Sequence, residues 1–216
     1  MRRPLSSRPR NRDAGGSARR PLALVLALLG CLLARAATSE DAPDLDWIDR
    51  DALAAGEVLV RSDRAERPLT ASITVATEID APPAVIWDVL IACQLAPQYV
   101  PNVVSCRSIE KVDDGRGELF LQVVKPAFFL PTFEHVFRLD YHPYRRIDVH
   151  RVSGPLAHLE GSWWLLPQPS GKILLIYGME IDPGGLVPRF LVRATLKRDL
   201  PRLVRAVRER AEAAAR

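Results

Sequence analysis

Between Leu69 and Ile79 apolar Ile73, Val75 and Ile79 alternate with polar Thr74 and Glu78, the period of a strand with one face buried. The period then changes. Ala81-Pro82-Pro83 places prolines where a helix can start without losing a hydrogen bond, and Val85, Ile86, Val89, Leu90 and Cys93 recur at helical spacing. Pro97 and Pro101 break this segment into two short helices. From Val103 the pattern becomes strand and turn: Val103–Val112, Glu118–Val124, Phe133–Tyr141, Arg146–Val152, His158–Leu166 and Lys172–Ile181, separated by Asp/Gly- and Pro-rich turns. Six successive strands with short connections predict an antiparallel meander. The last strand passes through Asp182-Pro183-Gly184-Gly185 into a helix of roughly 28 residues, about 42 Å long, from near Val187.

Strand parity gives each side chain a face. In the last strand Leu175, Tyr177 and Met179 are expected inward, and in the one before it Gly161, Trp163 and Leu165, with Trp164 outside. In Phe133–Tyr141 the inward set is Phe133, His135, Phe137, Leu139 and Tyr141, which leaves His135 as a polar group among aromatics. Arg151 shares its parity with Ile147 and Val149 and can likewise turn inward. The closing helix carries Val187, Phe190, Leu191 and Ala194, then Leu200, Leu203, Val204 and Val207, near the spacing of an apolar stripe. Pro201 is expected to kink or interrupt it, and Asp199 to cap the part that restarts. The connection Lys125–Thr132 sets Phe128, Phe129 and Leu130 between prolines, suited to a cavity mouth, a membrane contact or a cover for the core.

The beginning of the chain changes the picture of charge. Residues 2–20 hold seven arginines, Leu22–Leu33 is an apolar run of twelve residues, and Ala34-Arg35-Ala36 is a small-x-small cleavage pattern, so residues 1–36 read as a signal peptide. The run is shorter than the about 20 residues a membrane span needs. Leu28-Leu29-Gly30-Cys31 approaches a lipoprotein motif and Arg19-Arg20 a twin-arginine signal, as variants of export. Past residue 36 the chain has 22 basic against 25 acidic residues, so its whole-chain pI of about 9.2 is no argument for nucleic acid. Val187–Arg216 nevertheless carries nine basic against three acidic residues, a basic helix on an acidic body. Residues 37–55 are expected to form a tether and short helix, and 56–216 one domain.

Cys93 and Cys106 can pair in an oxidising compartment or stay as reduced buried thiols. His135, His142, His150 and His158 lack the spacing of a metal site, and no phosphate loop, nucleophile elbow or redox motif is present, so neither a metal, a cofactor nor a catalytic set is assigned.

The order of Ile79-Asp80-Ala81-Pro82-Pro83, Val85-Ile86-Trp87, Val100-Pro101-Asn102-Val103, Glu160-Gly161-Ser162-Trp163 and Asp182-Pro183-Gly184-Gly185 before a long helix resembles the START-like (SRPBCC) superfamily, above all its polyketide cyclase/dehydrase and coenzyme Q-binding branches. The resemblance covers residues from about Gly56 onward. It implies an α+β helix-grip fold, a curved antiparallel sheet of six to seven strands around the C-terminal helix with a hydrophobic cavity between. Many relatives carry a Thr-Asp pair where this chain has Ala92-Cys93, which removes any role tied to that aspartate. Cavity candidates are then Leu121, Val123, Phe128, Phe129, Phe133, His135, Phe137, Arg151, Trp163, Leu175, Tyr177, Met179, Phe190, Leu191 and Ala194. The expected function is an exported binding protein for an apolar small molecule such as a lipid, quinone or polyketide. A cyclase- or aromatase-type enzyme using His135, Tyr177 or Arg151 is the alternative. A third reading is a protein that docks on membrane lipid through its basic helix and Phe128-Phe129.

Overall fold

The computed structural model describes residues 42–63, 70–126, 131–185 and 188–216; the expected signal peptide and Phe128-Phe129 lie outside them. Helix α1 (Arg50–Ala54) is opened by Asp49, whose Oδ1 accepts the backbone N–H groups of Asp51 and Ala52 at 3.0 Å each. Two donors that a helix start would leave bare are thereby satisfied. Within residues 37–55, expected as a tether and short helix, the helix occupies only Arg50–Ala54. Strands β1 (Leu59–Asp63) and β2 (Ala71–Ile79) follow, then α2 (Pro83–Ile91), entered through Pro82 and Pro83. A 3-10 segment, Cys93–Gln98, takes the place of a second α-helix because Pro97 cannot donate an N–H.

The meander is complete: β3 (Val103–Val112), β4 (Gly117–Val124), β5 (Phe133–His142), β6 (Arg146–Ser153), β7 (His158–Pro167) and β8 (Ile173–Asp182). The sheet has eight strands in the order β1-β2-β8-β7-β6-β5-β4-β3, every neighbouring pair antiparallel. β1 and β2 extend the six-strand meander, so the strand count exceeds the expected six to seven.

Helix α3 (Arg189–Ala214) is continuous through Pro201. The expected interruption does not occur because Leu200, Leu203, Val204 and Val207 are buried on both sides of the proline, and this packing holds the backbone helical. Asp199 does not cap a restarted helix; its carboxylate accepts Asn102 Nδ2 at 2.9 Å and Arg198 Nε at 2.7 Å. Arg208 Nη1 donates to Gly56 O and to Thr77 Oγ1, both at 2.9 Å, fixing the helix to the β1–β2 side of the sheet. Arg208→Met should lower stability by about 1–2 kcal/mol, read from the urea midpoint. An unchanged midpoint would show that neither bond contributes.

Two cores flank the sheet. On the inner face Ile73, Val75, Ile79, Trp163, Leu165, Leu175 and Tyr177 meet Ile86 and Trp87 of α2 and Leu200, Leu203, Val204, Val207 and Ala211 of α3. On the outer face Ala76, Leu174, Ile176, Trp164 and Leu166 are covered by Leu45, Trp47, Ile48 and Leu53. Trp164 is therefore on the outer face, as parity requires, yet sheltered, with the Arg146 guanidinium 4.8 Å over its ring. Burial on both sides explains why Ile173–Tyr177 is an unbroken apolar run rather than an alternating one. Among the described residues no helix is long and apolar enough to cross a membrane.

Candidate functional site

The inner face is built row by row from strand pairing. Ile147, Trp163, Tyr177 and Val75 form one row across β6, β7, β8 and β2. Within it the Trp163 and Tyr177 rings are parallel to 4° with centroids 3.7 Å apart, a continuous aromatic floor. The next row, Val149, Gly161, Met179 and Ile73, is notched at Gly161. A Cβ on Gly161 would stand 2.7 Å from the Gly178 carbonyl oxygen, so this position cannot carry a side chain without moving the backbone. Burial raises the Tyr177 phenol above its ordinary range.

Toward β3 the face remains aromatic but gains polar groups. Phe120 and Phe137 stack at 5.6 Å. Tyr141 O–H donates to Glu118 Oε2 at 3.0 Å, Ser108 bonds the other carboxylate oxygen, and Trp87 meets the Tyr141 ring edge-on at 5.7 Å. Burial, and then the Glu118 carboxylate, raises the Tyr141 phenol.

One row is polar from end to end. Cys106, Gln122 and His135 are direct cross-strand partners on β3, β4 and β5. Cys106 is disulfide-bonded to Cys93, with 5.4 Å between their Cα atoms, tying β3 to the 3-10 segment. Gln122 Nε2 donates to Cys106 Sγ at 3.8 Å, and Gln122 Oε1 lies 3.0 Å from His135 Nε2. His135 is only 7% exposed, set between Phe133 and Phe137 with ring centroids at 6.0 and 5.5 Å. Its Nδ1 is buried and finds no hydrogen-bond partner among the described residues. Burial lowers its pKa to about 4, so the ring is neutral at neutral pH. Gly154, at φ +119°, turns the chain after β6 directly against the His135 backbone.

The structure thus brings Phe133, His135, Phe137, Trp163, Leu175, Tyr177 and Met179 onto one face. Other candidates are corrected. Leu121 pairs with Val136 and Val123 with Glu134, which puts both on the outer face; the inner residues of β4 are Glu118, Phe120, Gln122 and Val124. Apolar character had marked Leu121 and Val123, whereas the register gives that face to the alternate residues. Arg151 pairs with Phe137 and so keeps the inward parity expected of it, but at the end of β6 its side chain is exposed and its Nη2 donates to Gly154 O at 2.8 Å. Phe190 is 71% and Leu191 38% exposed, and Ala194 is exposed too, so none of the three is enclosed as part of a wall. Counting back from Leu203 and Leu200 by helical steps leads instead to Leu196 and Arg193. Leu196 packs on the inner core, and Arg193 Nε is buried without a hydrogen-bond partner among the described residues.

Gln122, Gly154 and Arg193 were not anticipated. Parity with Phe120 would have found the first, and the 3.6-residue period the last. Among the described residues no three His, Cys, Asp or Glu side chains converge to hold a metal ion.

Solved structures with this fold include the Zhui aromatase/cyclase from Streptomyces, at 18% identity and a TM-score of 0.59 over 68% of this chain and 96% of that one. The STAR-related lipid transfer protein from Xanthomonas axonopodis matches at 16% identity and 0.62, over 70% and 92%. A START superfamily protein from Mycobacterium smegmatis matches at 18% and 0.58, over 66% and 98%. No curated protein sequence matches the chain. The family model described as "polyketide cyclase / dehydrase and lipid transport" matches residues 79–208, from the last residue of β2 through most of α3. The chain belongs to that family, within the START-like helix-grip superfamily.

Proposed function

We propose that the protein is an exported carrier or sensor for a hydrophobic small molecule, a lipid, quinone or polyketide-like compound held between the inner face of the sheet and α3. The observation that carries this reading is the aromatic inner face, Trp163 on Tyr177 and Phe120 on Phe137, interrupted by the buried His135 imidazole, whose Nδ1 has no partner among the described residues. Burial of ligand surface at about 25 cal/mol per Å² supplies affinity, and a single polar group fixes orientation. The lipid-transfer and aromatase/cyclase names of the structural relatives agree with an apolar ligand of this kind. Export is supported by the leader-like residues 1–36 and by the Cys93–Cys106 bond, which belongs to oxidising compartments.

An aromatase- or cyclase-type reaction is the second reading, favoured by the aromatase/cyclase among the relatives. A histidine titrating near 4 is a weak base at neutral pH, which suits orientation better than proton abstraction. Docking on anionic lipid is compatible with Phe190 and Leu191, exposed on the basic helix α3.

Native mass spectrometry of protein purified from the exported fraction should show an added mass that solvent extraction removes, on a chain beginning at Ala37. A chain that stays unoccupied and takes up no apolar fluorescent probe would sink the carrier reading, and an intact Met1 the export reading.

A further inference from the structure

The row Cys106–Gln122–His135 determines more than position. A sulfur in a disulfide carries no hydrogen, so toward Gln122 it can only accept. The Gln122 amide must therefore present its NH2 group to Cys106 Sγ, at 3.8 Å, and its carbonyl oxygen to His135 Nε2, at 3.0 Å. A carbonyl only accepts, so Nε2 carries the proton. A neutral imidazole has one N–H, and Nδ1 is left as a bare lone pair. Burial keeps the ring neutral and closes off the doubly protonated form. The nitrogen without a partner is thus an acceptor and lies in an aromatic setting between Phe133 and Phe137.

We propose that the Cys93–Cys106 disulfide, acting through Gln122, sets His135 Nδ1 as a hydrogen-bond acceptor, so that the site selects apolar ligands bearing a hydroxyl donor, a phenol, enol or alcohol, over their ether or ketone counterparts. The ligand preference rests on the carrier reading; the polarity of the imidazole does not. A thiol or hydroxyl at Cys106 can donate to the Gln122 carbonyl, which lets the amide turn over and give its NH2 to Nε2. The imidazole proton then moves to Nδ1, and the same histidine becomes a donor suited to a carbonyl ligand. The disulfide is a positioning element in this scheme, two hydrogen bonds away from the imidazole and three from the ligand.

Long-range 15N–1H correlation spectra of the ligand-free, disulfide-bonded protein read the tautomer directly, with His135→Gln assigning the signals. The expected spectrum has Nε2 protonated and Nδ1 bare. After reduction by a dithiol, and in the Cys93→Ser/Cys106→Ser double variant, the Nδ1–H tautomer should become populated. A protonated Nδ1 in the disulfide form overturns the proposal, and so does a tautomer that neither treatment alters. For the ligand class, 1-naphthol should bind the oxidised protein roughly tenfold more tightly than 1-methoxynaphthalene, which cannot donate. His135→Phe should abolish the difference; should that variant not fold, His135→Leu, which also lacks an acceptor, replaces it. Equal affinities in the oxidised wild type overturn the hydroxyl preference. Binding of neither probe overturns that preference and counts against the carrier reading, while the tautomer is decided by its own spectrum.

Discussion

Gly154→Ala is expected to lower the unfolding midpoint by about 10 °C, the largest effect expected of a glycine-to-alanine change among the described residues. The new Cβ would stand 2.6 Å from His135 Cβ and 2.8 Å from His135 Cα, and neither atom can swing away as the end of a flexible side chain could. The backbone at φ +119° is also a conformation that only glycine adopts without strain. Strain of about 1–3 kcal/mol and overpacking of similar size add to about 2–6 kcal/mol. For a domain of this length each kcal/mol corresponds to roughly 2–4 °C. Gly171→Ala is the control, because Gly171 also has positive φ, +85°, but nothing lies within 4 Å of its Cβ position. Thermal melts of the two variants should separate by several degrees. If they coincide, close packing of the turn on His135 has no energetic consequence.

The second large effect is an acid loss of stability that depends on His135. Above pH about 6.5 the imidazole is neutral in both folded and unfolded chains, and its burial carries no charge penalty. As pH falls from about 6.5 toward 4, the unfolded chain takes up the proton while the buried ring does not, and the equilibrium moves toward unfolding. Below about 4 both states are protonated and the loss levels off. The gap between 6.5 and about 4 corresponds to roughly 3 kcal/mol in all, at 1.36 kcal/mol per unit. Urea titrations at steps between pH 7 and 4 on the wild type and His135→Gln isolate this contribution from the carboxylates, which both proteins share. The wild type should lose about 3 kcal/mol more than the variant across that window. Parallel curves would mean that the ring is protonated, or exposed, in the folded protein.

Much of the architecture was legible because periodicity and burial coincide. The inward residues of β7 and β8 follow from the outward Glu160, Ser162 and Glu180, and the meander followed from its turns. β4 defeats the same reasoning. Leu119, Leu121 and Val123 alternate with Glu118, Phe120, Gln122 and Val124, so both faces contain apolar residues, and only pairing with β3 and β5 reveals which is inside. A glutamine in a strand ordinarily marks the solvent side; here it faces inward because a disulfide sulfur and an imidazole flank it and satisfy both ends of its amide. In α3 the visible apolar residues Phe190, Leu191 and Ala194 drew the stripe away from the positions that the buried second half of the helix dictates. Pairing of Cys93 with Cys106 could not be decided from two cysteines in a linear text, since it depends on β3 returning to within 5.4 Å of the 3-10 segment.

The place of β2 in the sheet sets a condition on how the protein can be made. Its neighbours are β1 and β8, and Ala71 pairs with Ile181, so about half of the chain separates β2 from the strand that completes its inner face. Contacts of such long sequence separation form late, because a long loop must close before they bring any gain. Until β8 is in place, Ile73, Val75 and Ile79 on one side of the gap and Trp163 and Leu165 on the other have no common core to enter. Pairing of β2 with β8 therefore cannot be complete until residue 182 has been made, so the inner-face residues of β2 gain this neighbour only late in synthesis.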